Sequence, residues 1–195
     1  MFQNRDERLV DAVVNTRFTS FERDGLAGAD NVEVTETGNA SFTGFGVKKI
    51  LQPTKSLPGY NTVSDADVVI MRYAHVLLMI AEAENEVNGP TEKALKAINA
   101  VRTRSHQPAI DGTGLTQAEL RERIRNEWRV ETCFEGLRYF QLKRWKQLQQ
   151  VVDGVVDPAY PSYIKVVRPA FEFFPLPQCE IDKAHGVLVQ DPNYQ

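Results

Sequence analysis

The stretch of residues 126–145 constrains the fold most, because it mixes carboxylates with large apolar residues at helical spacing. At about 100° per residue, Glu127, Glu131 and Glu135 share an arc of roughly 120° with the apolar stripe that carries Trp128, which is typical of a core-facing helix surface. Spacing of four makes the glutamates like-charge neighbours, which is unfavourable unless cations lie between them. A buried carboxylate needs a partner, so we expect arginines to reach this face.

A structural ion network is therefore the first prediction from the sequence. The chain is rich in arginine both inside this stretch and in the region before it. The predicted members of the network are Arg72, Arg102, Glu127, Arg129, Glu131, Glu135 and Arg138.

Paired glutamates also suggest a glycoside hydrolase, which is the less favoured interpretation. Such enzymes place two carboxyl groups on opposite sides of the scissile bond. Glutamates that project from one face of one helix, among core residues, do not flank a sugar in that way. We therefore predict no catalytic residues and no enzymatic activity.

Composition sets further bounds on the class of protein. The chain has 195 residues, 42 % of them hydrophobic and 25 % charged, with a net charge of -3. A nucleic-acid-binding protein would carry a basic excess, so nucleic acid is not expected as a partner. No apolar run reaches the roughly 18 residues of a membrane span.

Histidines and cysteines give no sign of a metal site. His75, His106 and His185 are scattered, and no pair has the spacing of zinc ligands, so we predict no histidine-based metal site and no cofactor. A calcium site in the loops would leave little trace in the sequence and stays open. For Cys133 and Cys179 we favour two buried free thiols over a disulfide.

Residues 18–65 are glycine-rich and differ from the rest of the chain. We predict loops with short strands there, including a hairpin of Asn31–Thr37 with Ser41–Leu51. Long irregular segments in a compact domain tend to be functional, and ligand pockets combine aromatic rings with polar partners. The predicted ligand-binding residues are accordingly Phe42, Phe45 and Tyr60.

Helical periodicity predicts a four-helix scaffold over residues 66–150, followed by an irregular segment, residues 151–195. For residues 1–17 a short helix and a strand remain equally compatible with the pattern. Ser64 or Asp65 is the predicted cap of the first helix, Thr91 caps the second, and Thr116 with Glu119 forms a capping box at the start of the third. The predicted helices are Val68–Val87, Glu92–Thr103, a third running to about Phe134, and Leu137–Gln150, with a short strand at 171–174 and one helical turn at Gln178–Lys183.

Three blocks of this sequence form a recognisable combination. The first block is Arg72–Ala83, and the second is residues 127–145. The third joins Phe174–Pro177 to Gln190–Tyr194. Together the blocks span nearly the whole chain, and in type and order they resemble the C-terminal part of the SusD/RagB family of outer-membrane nutrient-binding lipoproteins. His75 is a departure, because the family usually has an acid there.

The resemblance implies a mainly α-helical, SusD-like fold with tetratricopeptide-like helix pairs, long loops and a few short β-strands. It also implies non-catalytic binding of glycans or other nutrients on the outer-membrane surface, for delivery to a SusC-like TonB-dependent transporter. Family members are longer and carry an export signal and a lipid-bearing cysteine. We therefore expect residues 1–195 to be a single C-terminal portion of such a protein, attached to the membrane by a lipid anchor that this chain does not include.

A helical-repeat scaffold that binds proteins without a small ligand is the main alternative function. An intracellular repeat adaptor would repeat one pattern of about 34 residues, and this chain does not do so clearly. Trp128 and Trp145 lie on the predicted core stripes, which makes them poor candidates for an exposed sugar platform.

Overall fold

The computed structural model of the chain describes residues 6–15, 45–47, 49, 67–156, 162, 164–168 and 173–194. Within these residues the fold is mainly helical with few strands, as predicted. The chain divides into two compact units, Met1–Arg138 and Tyr139–Gln195. In chain order the elements are α1 (Arg8–Ala12), β1 (Val13–Asn15), β2 (Phe45–Val47), α2 (Tyr73–Asn88), α3 (Glu92–Arg104), α4 (Gln117–Glu131), α5 (Arg138–Arg144), α6 (Leu148–Val152), α7 (Gln178–Lys183) and a final 3-10 turn, Pro192–Tyr194.

The start of α2 differs from the prediction, because the helix begins at Tyr73 rather than at Val68. Arg72 has an extended backbone (φ −137°, ψ 165°) and makes no side-chain cap. The apolar side chains of residues 68–71 suggested a buried helical turn, but they are exposed. Ser64 and Asp65, the predicted caps, lie outside the described residues.

Helices α2 and α3 form the first packed pair. Gly89 ends α2 at a positive φ of 79°, which glycine adopts at little cost. The Thr91 hydroxyl then accepts a hydrogen bond from the Ala94 N–H at 3.3 Å and caps α3, as predicted. This short connection lets α3 pack against α2. Buried apolar residues of the pair are Leu78, Ala81, Ala94, Ala97, Ile98 and Val101.

Helix α4 packs on α2 and completes this core. The predicted capping box of Thr116 and Glu119 is present. The helix ends at Glu131 rather than near Phe134, which has a positive φ of 63°. Its buried apolar residues are Leu120, Ile124 and Trp128.

The N-terminal segment contains both of the structures that its sequence allowed. Helix α1 leads directly into β1, which pairs antiparallel with β2 so that Val13 lies opposite Val47. The Asn31–Thr37 half of the predicted hairpin lies outside the described residues.

In the second unit, the predicted fourth helix is two short helices. Lys146 separates α5 from α6 with a positive φ of 56°, and the Gln147 N–H donates to the Leu142 carbonyl at 2.8 Å. A left-handed residue that closes a helix end is usually glycine or asparagine, so lysine gave no warning of the break. The predicted helical turn Gln178–Lys183 is confirmed as α7. Residues 171 and 172 of the predicted strand lie outside the described part, and Phe173 and Phe174 are not in a strand.

None of the helices in the described part of the chain is long and apolar enough to span a membrane.

Candidate functional site

The three glutamates of residues 126–145 are buried in the first unit. Glu127 and Glu131 lie on α4 with only 3 % and 2 % of their surface exposed. Glu135 follows in the turn after the helix, and its side chain is 8 % exposed. Since a buried carboxylate is costly without partners, the cations around these three groups define the site.

Glu131 is the centre of the cluster. Its carboxylate is bonded to Arg72, to Nη1 of Arg8 at 2.7 Å and to Nη2 of Arg104 at 2.6 Å and 2.7 Å. Burial acts to raise the pKa of Glu131, but the hydrogen bonds from Arg72 and Arg8 outweigh it and lower the pKa below its ordinary value. The carboxylate is therefore ionised at neutral pH.

Glu135 joins α2 to the turn after α4. Nη2 of Arg72 lies 2.7 Å from its Oε1, Nε2 of His75 lies 2.6 Å from its Oε2, and the Lys49 ammonium completes the set. Burial opposes ionisation, but the hydrogen bonds from Arg72, Lys49 and His75 lower the pKa of Glu135 to about 2. Lys49 also donates to the Glu131 carbonyl at 2.7 Å, so it closes the C-terminal end of α4.

Glu127 connects α4 to α3 and to the N-terminal segment. Nη1 of Arg8 lies 2.6 Å from its Oε1, and Nη1 of Arg102 lies 2.8 Å from its Oε2. Arg8 is also held by Asp6 through Nε at 3.0 Å and Nη2 at 2.6 Å. One arginine therefore ties three carboxylates together and fixes α1 against α4.

The predicted network and the described contacts overlap only in part. Arg72 and Arg102 lie against the glutamates, whereas Arg129 is exposed and Arg138 is half-buried at the start of α5. Burial, together with the nearby charge of Arg129, lowers the pKa of Arg138. Basic residues outside the predicted set that also contact the glutamates are Arg8, Lys49, His75 and Arg104.

Two glutamates of α2, Glu82 and Glu86, contact side chains of α4. Oε2 of Glu82 accepts a hydrogen bond from Nε1 of Trp128 at 3.0 Å, and Glu86 pairs with Arg121. Trp128 is 4 % exposed, so it belongs to the core rather than to a sugar-binding surface. Trp145, in the second unit, is half-buried beneath the Arg144 guanidinium, 4.9 Å from the ring centroid.

The glutamates are poorly arranged for acid–base catalysis. A glycosidase needs one carboxyl group with a raised pKa to protonate the leaving oxygen. Here burial is outweighed by cations, and the pKa values of Glu131 and Glu135 are lowered instead. The oxygens that a substrate would have to reach are occupied by guanidinium groups. Ionised carboxylates that are fully bonded to cations are typical of a structural ion cluster.

The predicted ligand-binding aromatics are only partly described. Phe42 and Tyr60 lie outside the described residues. Phe45 begins β2, where its backbone is opposite Asn15. These three residues therefore remain predictions, and the loop region 18–65 is described here only at β2 and Lys49.

A different group of aromatic residues is exposed in the second unit. Tyr139 and Phe140 lie on α5, and Phe174 lies in the segment before α7; we call these three the aromatic patch. The Tyr139 ring lies 5.5 Å from Phe140 in an edge-on arrangement and 6.4 Å from Phe174, measured between centroids. Phe140 is 61 % and Phe174 71 % exposed. Lys143 holds its ammonium 4.7 Å from the Phe174 centroid.

The cysteines and acidic side chains offer no metal centre in the described ranges. No group of three His, Cys, Asp or Glu residues there is placed to hold an ion. Cys133 and Cys179 are both free thiols. Cys133 is half-buried, but Cys179 is exposed, so the expectation that both are buried is wrong for Cys179.

Comparison with protein families gives a match over almost the whole chain. The sequence model of the SusD family matches residues 1–194. SusD-like protein P2 of Formosa agariphila is 31 % identical over 142 residues, which cover 67 % of this chain and 26 % of that protein. SusD-like protein P25 of the same organism is 36 % identical over 125 residues, which cover 63 % of this chain and 23 % of that protein. The chain thus spans about a quarter of the length of these relatives.

Solved structures give the same result for the fold. The surface glycan-binding protein A from Bacteroides thetaiotaomicron is 26 % identical with a TM-score of 0.65, covering 97 % of this chain and 38 % of that one. A SusD-like protein from Bacteroides fragilis is 28 % identical with a TM-score of 0.65, and the match covers 77 % of this chain and 31 % of that one. A SusD homologue from Bacteroides thetaiotaomicron has a TM-score of 0.66 at 26 % identity, covering 96 % of this chain and 40 % of that one.

Proposed function

Because the chain belongs to the SusD family, we propose that it binds glycans at the cell surface without cleaving them. One observation carries this function: the likeness to a surface glycan-binding protein that extends over 97 % of the chain. The lowered pKa values of Glu131 and Glu135 support a binding role over a hydrolytic one, since neither group is suited to donate a proton.

Burial separates the residues that support the fold from those that can contact a glycan. The core of α2, α3 and α4, together with the glutamate cluster, forms a rigid support. Sugars are bound by exposed aromatic rings and by polar groups around them. The ligand-contacting residues are therefore on the surface and in loops, with Phe42, Phe45 and Tyr60 as the candidates in the region 18–65.

A partner and a location belong to the same proposal. The bound glycan is passed to a SusC-like TonB-dependent transporter, and the protein is held at the outer-membrane surface by a lipid anchor. Co-purification of the tagged protein from outer membranes tests this step. Recovery of a TonB-dependent transporter is expected, and recovery of cytosolic proteins alone would favour the interaction-scaffold alternative.

Exposed apolar side chains on α2 are the observation that favours this alternative. Tyr73 and Val87 are 75 % and 79 % exposed, and Met79 and Ile80 are exposed to a lesser degree. Large exposed apolar residues that cluster on a helix often mark protein contacts. Such a surface is also compatible with glycan binding elsewhere on the molecule.

Calorimetric titration against a panel of polysaccharides and oligosaccharides tests the proposed function. We expect saturable binding of at least one glycan, with no release of reducing ends during prolonged incubation. Binding of no glycan would reject the proposal. Release of reducing ends that Glu131→Gln abolishes, in a variant that remains folded, would favour a hydrolase.

A further inference from the structure

The aromatic patch is an exposed surface that the core does not explain. Single exposed apolar side chains are common, but three aromatic rings in mutual contact form a surface of a different kind. Phe140 and Phe174 expose 61 % and 71 % of their surface, and Tyr139 exposes 37 % while contacting both. Aromatic rings with this degree of solvent exposure are available to stack on a ligand.

Two clamps fix the segment that carries Phe174. The Tyr194 hydroxyl donates to the Phe173 carbonyl at 2.7 Å. On the other side, Oε1 of Gln190 accepts from the Leu176 N–H at 3.0 Å, and Nε2 of Gln190 donates to the Leu176 carbonyl at 2.9 Å. Phe174 is therefore anchored through the backbone on both sides. A ring that is ordered before binding loses little entropy when a ligand stacks on it.

The stretch that begins at Tyr139, which carries two of the three rings, is basic in sequence. From Tyr139 to Val152 the chain has three cations, Lys143, Arg144 and Lys146, and no carboxylate. This contrasts with the net charge of -3 of the whole chain. Lys143 lies 5.3 Å from the Tyr139 centroid and 4.7 Å from that of Phe174, and the described contacts give it no carboxylate partner. Its ammonium is thus held beside the rings.

We propose that the aromatic patch binds acidic glycans, whose uronate or sulfate groups pair with Lys143 while a sugar ring stacks on Phe174 or Phe140. A neutral sugar would only stack on the aromatic rings, whereas an anionic sugar would also pair with the Lys143 ammonium beside them. The acidic balance of the whole chain disfavours single-stranded nucleic acid, the other anionic ligand that stacks on aromatic rings. This inference rests on the proposed function and narrows its ligand class.

Isothermal titration of the full chain with polygalacturonate, chondroitin sulfate and neutral dextran of matched length tests the proposal. We expect the acidic polymers to bind about tenfold more tightly than dextran, with affinity that falls as sodium chloride is raised. Phe174→Ala and Lys143→Gln should each weaken acidic binding about five- to tenfold, because each removes one of the two contacts. Lys143→Arg should retain most of it.

Matched controls lie in the same unit. Phe173→Ala removes an exposed ring next to the patch, and Lys183→Gln removes an exposed lysine of α7; neither should change the affinity by more than about twofold. Circular dichroism establishes that each variant is folded. If Phe174→Ala unfolds the protein, the pair Lys143→Gln and Lys143→Arg still decides the question.

The outcomes separate the two proposals. Binding of dextran with no preference for acidic polymers would overturn the inference and leave the proposed function intact. Acidic binding that is unchanged in Lys143→Gln and Phe174→Ala would also overturn it. Absence of binding to every glycan would reject both.

Discussion

Nε2 of His75 lies 2.6 Å from Oε2 of Glu135, and this contact joins the first turn of α2 to the turn that follows α4. The same carboxylate is bonded to Arg72 and Lys49. Three segments that are distant in the sequence therefore meet on one side chain. All three contacts are strongest when Glu135 is ionised, which makes the stability of the fold depend on pH.

Acid should weaken the fold through Glu135. Its pKa is about 2 in the folded chain against an ordinary value of 4.5, so its stabilisation is fully present above the ordinary value and is lost as the pH falls through the folded one. We expect the free energy of unfolding to decrease by up to about 3 kcal/mol through this group between about pH 5 and pH 2. Urea unfolding over this range measures the decrease.

The control for this pH dependence is Glu135→Gln, which keeps the shape and removes the charge. The variant should be less stable than the parent at pH 7, and the difference between the two should shrink as the pH falls. A difference that stays constant from pH 7 to pH 2.5 would contradict the assignment.

Glu131→Ala should be among the most destabilising single substitutions in the first unit. It leaves Arg8, Arg72 and Arg104 without their shared carboxylate in a largely buried site. We expect a loss of about 3–5 kcal/mol in the free energy of unfolding. Glu122→Ala is the matched control, because this exposed glutamate of α4 pairs with Arg125 at the surface, and should cost less than about 1 kcal/mol. A loss below about 1 kcal/mol for Glu131→Ala would show that the cluster contributes little.

Arg8→Met should release the N-terminal segment from α4. The substitution keeps an unbranched side chain but removes the bonds to Glu127 and Glu131, at an expected cost of about 3 kcal/mol. Hydrogen exchange at the amides of Val13–Asn15 should become faster as β1 loses its support. Lys93→Met, which breaks an exposed pair with Glu84, serves as control and should leave exchange in β1 unchanged.

Trp128→Phe should affect stability and leave glycan binding unchanged. Trp128 is buried and donates to Glu82 at 3.0 Å, so the variant leaves a carboxylate without this donor, at a cost of about 1–3 kcal/mol. The dissociation constant of any glycan that binds should stay within about twofold. A tenfold weaker affinity in a folded Trp128→Phe protein would place this ring in the ligand site.

Local signals predicted much of the scaffold. The end of α2 and the starts of α3 and α4 follow from Gly89, Thr91 and the Thr116 capping box, because a cap is formed by residues three or four positions apart. The break at Lys146 has no such signal, since neither glycine nor proline marks it. The start of α2 was misplaced because an apolar run alone does not show whether it is buried.

The sequence predicted the glutamates of the cluster but only some of their basic partners. Helical phase placed Glu127 and Glu131 towards the core and so required cations. The predicted set included Arg72 and Arg102 but not Arg8. Arg8 is 119 residues from Glu127, and only the tertiary fold brings the two together. The aromatic patch was missed for a related reason. Tyr139 and Phe140 belong to a stretch whose apolar residues predicted a core-facing helix, but both side chains are exposed.

Arg8 and Arg72 bind the same carboxylate, that of Glu131, so the chain between them leaves and returns to one point. The free energy of closing such a loop rises slowly with its length, by only about 0.6 kcal/mol for each doubling. Insertions between β1 and β2 would therefore cost the scaffold little, provided that the two strands, Lys49 and both arginines stay in place. The ion cluster thus provides a fixed frame within which the sequence between β1 and β2 is free to diverge.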